Sequence, residues 1–326
     1  MPRCSSGCGE VSAVAKCFLR QGVAGRARAT LVLLAVVLWP AGCGREEPEQ
    51  PLRYANAPAH PTLPTYLLAV HPLHNPQKLA ATYQPLVDLI NRRLKGARVE
   101  LLATRDYPTF NARLRARGPA LLLPNPWQTL EAIKVGYRVI AMAGDAKDFR
   151  GLLLARRDSP IREVSDLKGK VVSYPAQTAL AACIMPQLFL HKRGLDVNRD
   201  IVNAYVGSQE SSILQAYLGK AAVAATWPPP WRMFQQEHPR EAAELKVMWE
   251  TPALVNNSVM LRDDVPPAVA ESILQTLLTL GHSAEGRLVL AGMSTSRFSA
   301  ADNATYDPVR TYIADFEREV RPVEGP

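Results

Sequence analysis

The chain has 326 residues, of which 47% are apolar, 21% charged and 7% aromatic. This ordinary globular composition excludes a disordered, collagen-like or coiled-coil protein, and the length favours two lobes over one small domain. The formal charge is +8, but residues 1–43 hold five basic side chains and one acidic side chain, so about half of the excess belongs to the N-terminus. The rest is spread without any run of five or more like charges, which argues against nucleic-acid binding.

The N-terminus has the layout of a secretory signal. A basic stretch ends at Arg28, an apolar run covers residues 31–39, and small residues precede Cys43. The uncharged segment around the run has 16 residues, whereas a helix needs ~20 to span a bilayer. A second uncharged stretch, 171–190, contains prolines and polar side chains and is interpreted as a buried strand and helix. We therefore expect an exported protein that does not span the membrane, with residues 1–42 as its signal peptide.

The sequence LWPAGC, which ends at Cys43, resembles a bacterial lipoprotein signal, in which the cysteine after the cut receives a lipid. The segment that follows has five prolines and no apolar periodicity, so residues 43–64 are interpreted as a semi-extended tether to a membrane. Simple secretion without a lipid is the alternative. Cys183 is then expected to be a lone buried thiol without a disulfide partner, because the other cysteines leave with the signal: Cys4, Cys8 and Cys17.

Beyond the tether, short apolar runs alternate with amphipathic segments. Asn75 can cap a helix whose first residue is Pro76, and apolar residues recur at helical spacing up to Gly96. Asn125 begins a similar helix. The predicted strands are 66–70, 99–102, 120–123, 137–144, 151–156, 170–174, 201–207, 221–226, 245–250 and 254–262. The other predicted helices are 108–117, 178–193, 208–218, 266–280 and a last one that Asp307 and Pro308 begin.

The segment WPPPW at 227–231 is predicted to be neither a regular helix nor a central strand, since proline lacks a backbone donor. Its prolines are expected to hold an extended shape that positions Trp227 and Trp231.

The alternation of strands and helices indicates an α/β chain with mainly parallel sheets. Ligands of such sheets lie beyond the carboxyl ends of the strands, where loops meet helix N-termini. The loops at these ends are 71–75, 104–107, 124–128, 174–179, 207–211, 226–231 and 255–258.

Catalytic motifs are weak in this sequence. Ser165 and Lys168 have the S-x-x-K spacing without the motifs that accompany it, and residues 207–211 lack the second glycine of a nucleophile elbow. His71 and His74 lie three residues apart, but a metal site needs three or four ligands. Neither a Walker loop nor a G-x-G-x-x-G sequence occurs. We expect no enzyme activity, no metal and no cofactor.

Binding chemistry is better represented. Three strand-to-helix loops, at 124–128, 174–179 and 207–211, place polar residues at helix starts, where free backbone N–H groups and the helix dipole favour anions. Helix capping is the alternative explanation for these residues. Tryptophans beside the same loops can line a ligand site or simply pack beneath a loop. From the residues alone, the expected ligand is a small polar molecule, and an anion would suit these helix starts.

The order of several segments resembles the phosphate-, phosphite- and phosphonate-binding proteins of ABC transporters. The matching stretches are AVHPLHNPQKLAATYQPLVDLI, DYPTFNARLRARGPALLLPNPW, SDLKGKVVSYPAQTA, YVGSQESSILQAYLGKAAVAAT and RFSAADNATYDPVR. The resemblance implies the type II periplasmic binding protein fold, with two α/β lobes, a ligand cleft and a two-strand hinge formed by residues 151–156 and 254–262. Lobe 1 would comprise 65–153 and 257–326, and lobe 2 would comprise 154–256.

Taken with the loops, the resemblance gives a set of candidate ligand contacts, and it implies a monomeric receptor that hands a small oxyanion to an ABC permease. The candidates are His71, Tyr107, Asn125, Trp127, Gln177, Thr178, Ala179, Ser208, Gln209, Trp227 and Asn256. A periplasmic sensory partner of a membrane kinase is the alternative function.

The sequence departs from the family pattern at several ligand positions. The usual Ser/Thr-rich phosphate loop reads Ala-Gln-Thr-Ala at 176–179, Gln209 replaces a common histidine, and Trp127 replaces a common tyrosine. The acidic residues that meet the amine of aminophosphonates have no clear counterpart near Trp227 or Asn256. A phosphonate with a free amine is therefore the least expected ligand.

Overall fold

The computed structural model describes residues 63–324. The proposed signal peptide, Cys43 and nearly all of the proposed tether lie outside these residues. Within them, two mixed β-sheets with flanking helices form two α/β lobes. No helix of the described part is long and apolar enough to cross a membrane.

The first lobe is built on a six-stranded sheet in the order β11-β4-β10-β3-β1-β2. The strands are β1 (Thr65–Val70), β2 (Arg98–Ala103), β3 (Leu121–Leu123), β4 (Tyr137–Ala143), β10 (Ser258–Arg262) and β11 (Phe298–Ala300). Strand β1 pairs in parallel with β2 and β3, whereas β10 is antiparallel to β3 and β4. The carboxyl ends of β1, β2 and β3 therefore lie at one edge of the sheet.

The second lobe is built on a five-stranded sheet in the order β7-β6-β8-β5-β9. The strands are β5 (Leu152–Arg156), β6 (Val171–Tyr174), β7 (Val202–Tyr205), β8 (Val223–Thr226) and β9 (Leu245–Glu250). Strand β6 is parallel to β7 and β8, so the loops that follow these three strands also share an edge.

Within residues 63–324, ten α-helices flank the two sheets. They are α1 (Pro76–Arg93), α2 (Tyr107–Arg115), α3 (Pro126–Lys134), α4 (Met185–His191), α5 (Gln209–Tyr217), α6 (Pro228–Glu237), α7 (Pro239–Ala243), α8 (Pro267–Leu278), α9 (Ala284–Gly292) and α10 (Asp307–Glu319). Helix α10 begins at the predicted Asp307, and its Val309, Ile313 and Phe316 are buried on one face as the helical spacing requires. Helices α6, α7 and α9 and strand β11 were not predicted.

Two segments, 144–151 and 251–257, connect the sheets and run side by side. The Gly151 N–H donates to the Thr251 hydroxyl at 2.8 Å, and the Thr251 N–H donates to the Gly151 carbonyl at 3.0 Å. The Leu254 N–H donates to the Phe149 carbonyl at 2.8 Å. Two crossing segments therefore link the lobes as predicted, but neither is a strand and their bounds differ from those predicted. Most of the residues that were predicted to cross between the lobes belong instead to strands β5 and β10 of the two sheets.

The prediction for WPPPW was wrong, because Pro228, Pro229 and Pro230 form the first turn of α6. The first N–H groups of a helix have no intrahelical acceptor, so prolines there remove no hydrogen bond, and their fixed φ is already helical. Trp227 is the extended residue before the helix, and Trp231 lies inside it, stacked on Phe234 with 5.9 Å between ring centroids.

Candidate functional site

A small cavity of about 10 Å³ lies between the two lobes, which is room for about one water molecule. Both lobes and both connecting segments contribute to its walls. The lining residues are His71, Tyr107, Asn125, Phe149, Ala179, Leu180, Ala181, Ala182, Gln209, Trp227 and Asn257. The loops after the parallel strands converge here from both sheets, as expected for ligand sites of α/β folds.

His71, directly after β1, presents a neutral imidazole to the cavity. Its Nδ1–H donates to the Leu123 carbonyl at 2.9 Å, because a carbonyl oxygen can only accept, and Nε2 is therefore the unprotonated nitrogen. Burial lowers the pKa of His71 to about 4. The ring meets that of Tyr107 edge-on, with 6.4 Å between centroids.

Tyr107, the first residue of α2, is 2% exposed, and burial raises the pKa of its hydroxyl above the usual value. The phenol therefore stays protonated. The Gln209 side chain of the second lobe lies near this hydroxyl and partly offsets the rise in its pKa. Tyr107 and Gln209 thus bring side chains of the two lobes together at the cavity wall.

Asn125 has two structural roles at the start of α3. Its Oδ1 accepts from the Gln128 N–H, while Gln128 Oε1 accepts from the Asn125 N–H, both at 3.0 Å, which completes a capping box. Its Nδ2 donates, beside the cavity, to the Thr178 carbonyl of the second lobe at 3.0 Å.

Residues 179–182 form the wall from the second lobe, at the start of the helical segment that continues into α4. This segment opens with a π-turn over Leu180–Ile184, in which the Ile184 N–H donates to the Ala179 carbonyl. Since Ala179, Leu180, Ala181 and Ala182 have apolar side chains, backbone groups are the only polar groups that this wall can offer.

Gln209, the first residue of α5, is 2% exposed, and its Oε1 accepts from the Thr226 hydroxyl at 3.0 Å. This bond orients the amide so that Nε2 remains as the donor. Trp227 and Phe149 complete the aromatic part of the wall, with 5.4 Å between their ring centroids. Neutral donors and aromatic faces therefore surround the cavity, and its lining includes no Lys, Arg, Asp or Glu.

Asn257 and Phe149 belong to the connecting segments and were not among the predicted contacts. Asn257 is 4% exposed, and its Oδ1 is buried without a hydrogen-bond partner. The polar pair Asn256-Asn257 inside an apolar run was the available sequence signal. The prediction included Asn256 from this loop but not its neighbour Asn257.

Six of the predicted residues line the cavity: His71, Tyr107, Asn125, Ala179, Gln209 and Trp227. Gln177 and Thr178 line a neighbouring open cleft of about 630 Å³, which also includes Tyr107. Ser208 caps α5 through the Ser211 N–H.

Trp127 is 5% exposed and belongs to the core of the first lobe. Asn256 donates to the Asp145 carbonyl at 2.9 Å and accepts from the Asn257 N–H. Neither residue lines the cavity. His71 and His74 do not form part of a metal-binding group, since residues 63–324 contain no cluster of three or more His, Cys, Asp or Glu side chains that could hold an ion.

Comparison with known proteins gives a consistent result. Residues 68–306 match the family described as the phosphonate periplasmic substrate-binding protein of ABC transporters. The phosphonates-binding periplasmic protein of Escherichia coli (strain K12) is 19% identical over 242 residues, which are 72% of this chain and 71% of that protein.

Solved structures share the fold. The binding protein component of an ABC phosphonate transporter from Pseudomonas aeruginosa aligns with a TM-score of 0.72 at 19% identity, covering 79% of this chain and 88% of that one. PhnD1 from Prochlorococcus marinus, solved in complex with methylphosphonate, aligns with a TM-score of 0.71 at 15% identity, covering 79% of this chain and 100% of that one.

Two α/β lobes, two connecting segments and an interlobe cavity define a type II periplasmic binding protein, which confirms the predicted fold class. The chain belongs to the family of periplasmic substrate-binding proteins of phosphonate ABC transporters, as its resemblance indicated. Members of this family bind and deliver a solute without chemical turnover, so the protein is a transport receptor and not an enzyme. The sensory alternative is not favoured.

Proposed function

We propose that this protein captures a small tetrahedral oxyanion without an amine, such as phosphite, phosphate or methylphosphonate, and delivers it to an ABC permease. The observation that carries the proposal is the lining of the interlobe cavity, in which neutral donors converge and no carboxylate occurs. An ammonium group buried there would have no anionic partner, and burial of an unpaired charge is strongly unfavourable.

The donors suit an anion. Gln209 Nε2 and the Tyr107 hydroxyl face each other across the lobes, and the backbone at 179–182 begins a helical segment. Free N–H groups at such a terminus and the helix dipole favour negative charge. The small volume of about 10 Å³ favours a ligand of few atoms, around which the lobes separate slightly.

The lobe boundaries that we propose lie close to the connecting segments, the first of them two residues inside β5. We assign residues 65–153 and 257–326 to lobe 1 and residues 154–256 to lobe 2, which move relative to each other as the ligand enters. The protein acts as a monomer, because each chain contains both walls of the site.

Binding is tested by titration calorimetry with phosphite, phosphate, methylphosphonate and 2-aminoethylphosphonate. The expected result is binding of one or more of the first three and weaker binding of the fourth. In the Gln209→Glu variant a carboxylate replaces the donor amide at nearly constant shape, and affinity should fall by about 100-fold or more. Ser208→Ala, a helix cap outside the cavity, is the matched control and should keep the affinity. The absence of binding by all three amine-free oxyanions would refute the proposal.

We also propose that a lipid on Cys43 holds the receptor at a membrane, with residues 43–64 as the tether. Support comes from the sequence around Cys43 and from the five prolines that follow it. Metabolic labelling with a fatty acid should mark the wild-type protein, whereas Cys43→Ser should be unlabelled and recovered in the soluble fraction. Equal recovery of both proteins in the soluble fraction would favour simple secretion.

A further inference from the structure

The Oδ1 atom of Asn257 is a buried acceptor at the cavity that the surrounding protein does not satisfy. Several donors of the adjoining residues are bonded to other groups. The Ala143 N–H donates to the Asn257 backbone carbonyl at 2.8 Å, and the Tyr306 hydroxyl donates to the Asn256 carbonyl at 2.7 Å. The Thr129 and Ser258 hydroxyls bond to each other at 2.7 Å. If one of these donors turned to Oδ1 instead, the acceptor that it now bonds would lose its hydrogen bond.

A buried acceptor without a donor is unfavourable, and a bound molecule that supplies the donor removes this cost. The rest of the cavity selects for negative charge under the proposed function. A ligand that meets both demands carries negative oxygens together with one acidic hydroxyl. Singly protonated phosphite and methylphosphonate have this combination, because one oxygen bears a proton and the others share the charge.

We propose that Asn257 is a specificity-determining residue whose side-chain oxygen accepts a hydrogen bond from the protonated oxygen of the ligand, so that the receptor binds monoanions and discriminates against oxyanions without an O–H. This inference rests on the proposed function. It predicts rejection of methanesulfonate, which has nearly the shape of methylphosphonate but no proton to donate. It also predicts that phosphite and methylphosphonate bind weakly after their second deprotonation.

The titratable groups that face Asn257 do not produce such a pH dependence themselves. His71 and Tyr107 line the same cavity, and burial keeps the first neutral above about pH 4 and the second protonated. A second small cavity beside Asn257 includes Tyr83, whose pKa burial raises, and Asp148, which is ion-paired with Arg232.

Tyr306, on the adjacent element, also has its pKa raised by burial. A change in affinity near neutral pH therefore reports on the ligand.

The experiment is calorimetric titration of the wild-type protein with phosphite, methylphosphonate and methanesulfonate between about pH 5.5 and 9. Above the second pKa of each ligand, affinity should fall about tenfold per pH unit, since only the monoanion binds. The onset should occur at a lower pH for phosphite, the stronger acid, than for methylphosphonate. Methanesulfonate should bind roughly 10- to 100-fold more weakly than methylphosphonate at low pH.

The matched variant is Asn257→Leu, which removes the acceptor at similar volume, and Asn257→Ala serves if the first variant does not fold. Either should reduce the preference for methylphosphonate over methanesulfonate to within about threefold. A pH-independent affinity, or equal binding of the two ligands by the wild type, would overturn the inference while leaving the proposed function intact. Retention of the full preference in both variants would also overturn it. Failure of all oxyanions to bind would overturn both this inference and the proposed function.

Discussion

The Asn125 side-chain amide donates a hydrogen bond to the Thr178 carbonyl at 3.0 Å, and so joins the two lobes directly beside the cavity. The same side chain caps α3 through its oxygen, so one residue contributes to a helix of the first lobe and to closure of the site. These two roles use different atoms and can be separated by substitution.

Asn125→Ser keeps an oxygen for the cap but cannot reach Thr178. We expect ligand affinity to fall by about 5- to 10-fold, corresponding to about 1 kcal/mol for one hydrogen bond, with little change in the free energy of unfolding. Asn125→Ala, which also loses the cap, should in addition lower the free energy of unfolding by about 1 kcal/mol. Calorimetry measures the ligand affinity, and urea unfolding the free energy of unfolding, of the wild-type protein and the two variants. An equal loss of stability in the two variants would contradict the separation of roles.

A second interlobe connection lies at the surface, where Lys78 of α1 is ion-paired with Glu237 of α6 and lies 3.8 Å from Glu210 of α5. These side chains are partly exposed, so the pair is expected to contribute at most about 1 kcal/mol and to weaken with salt. Lys78→Met should lower ligand affinity by about 2- to 5-fold at low ionic strength and by less at high salt.

The matched control for this prediction is Arg92→Met, because Arg92 lies on the same helix but is paired with Glu285 inside the first lobe. Ligand titration of that variant should reproduce the wild-type affinity at every salt concentration. A similar loss in both variants would mean that the interlobe position of Lys78 has no special effect.

Two buried histidines should make the protein sensitive to mild acid. Desolvation lowers the pKa of His71 to about 4 and that of His74 to about 3, whereas an unfolded histidine titrates near ~6.5. Between these values the unfolded state binds more protons, so the free energy of unfolding decreases as the pH falls from about 6.5 toward 4. The expected slope is about 1.4 kcal/mol per pH unit for each histidine.

Denaturant unfolding across this pH range measures the slope, and His74→Gln should reduce it to about half. Asp106, whose pKa is lowered to about 2 mainly by hydrogen bonds from Thr109, affects stability only at more acidic pH. An unchanged slope in His74→Gln would show that other groups cause the acid sensitivity.

Gly151 allows the first connecting segment to pass close to the helical wall of the cavity. A Cβ atom at this position would lie 2.6 Å from the Ala181 carbonyl oxygen and 2.9 Å from the Pro186 ring. Gly151→Ala should therefore lower the free energy of unfolding by about 1–3 kcal/mol and weaken ligand binding, since Ala181 is part of the cavity wall. At Gly118 a Cβ would meet only Arg113 O at 3.7 Å, so Gly118→Ala should be nearly neutral in the same unfolding and binding assays.

Much of the fold could be predicted because local signals agree with the tertiary structure. Asn75 and Asn125 cap helices where their sequences predict it, and the parallel strands follow the apolar runs. The alternation of these elements is sufficient to place the ligand loops at one edge of each sheet.

The errors have physical reasons. Three prolines were interpreted as breaking a helix, although their position in its first turn is compatible with helical structure. Trp127 is the second residue of α3, close to the cap as expected, but it packs into the core because the direction of a side chain depends on the neighbouring elements. Asn257 could not be distinguished from Asn256 without knowing that β10 begins only at Ser258.

Cys183 is fully buried in the turn that also forms the cavity wall, and desolvation raises the pKa of its thiol to about 12. Reaction of a thiol reagent therefore requires this region to open, because the thiolate is the reactive form. In a protein that begins after Cys43 it is the single cysteine. The rate of its labelling thus provides a native kinetic probe of cleft opening, one that a tightly bound ligand should slow without the introduction of any foreign residue.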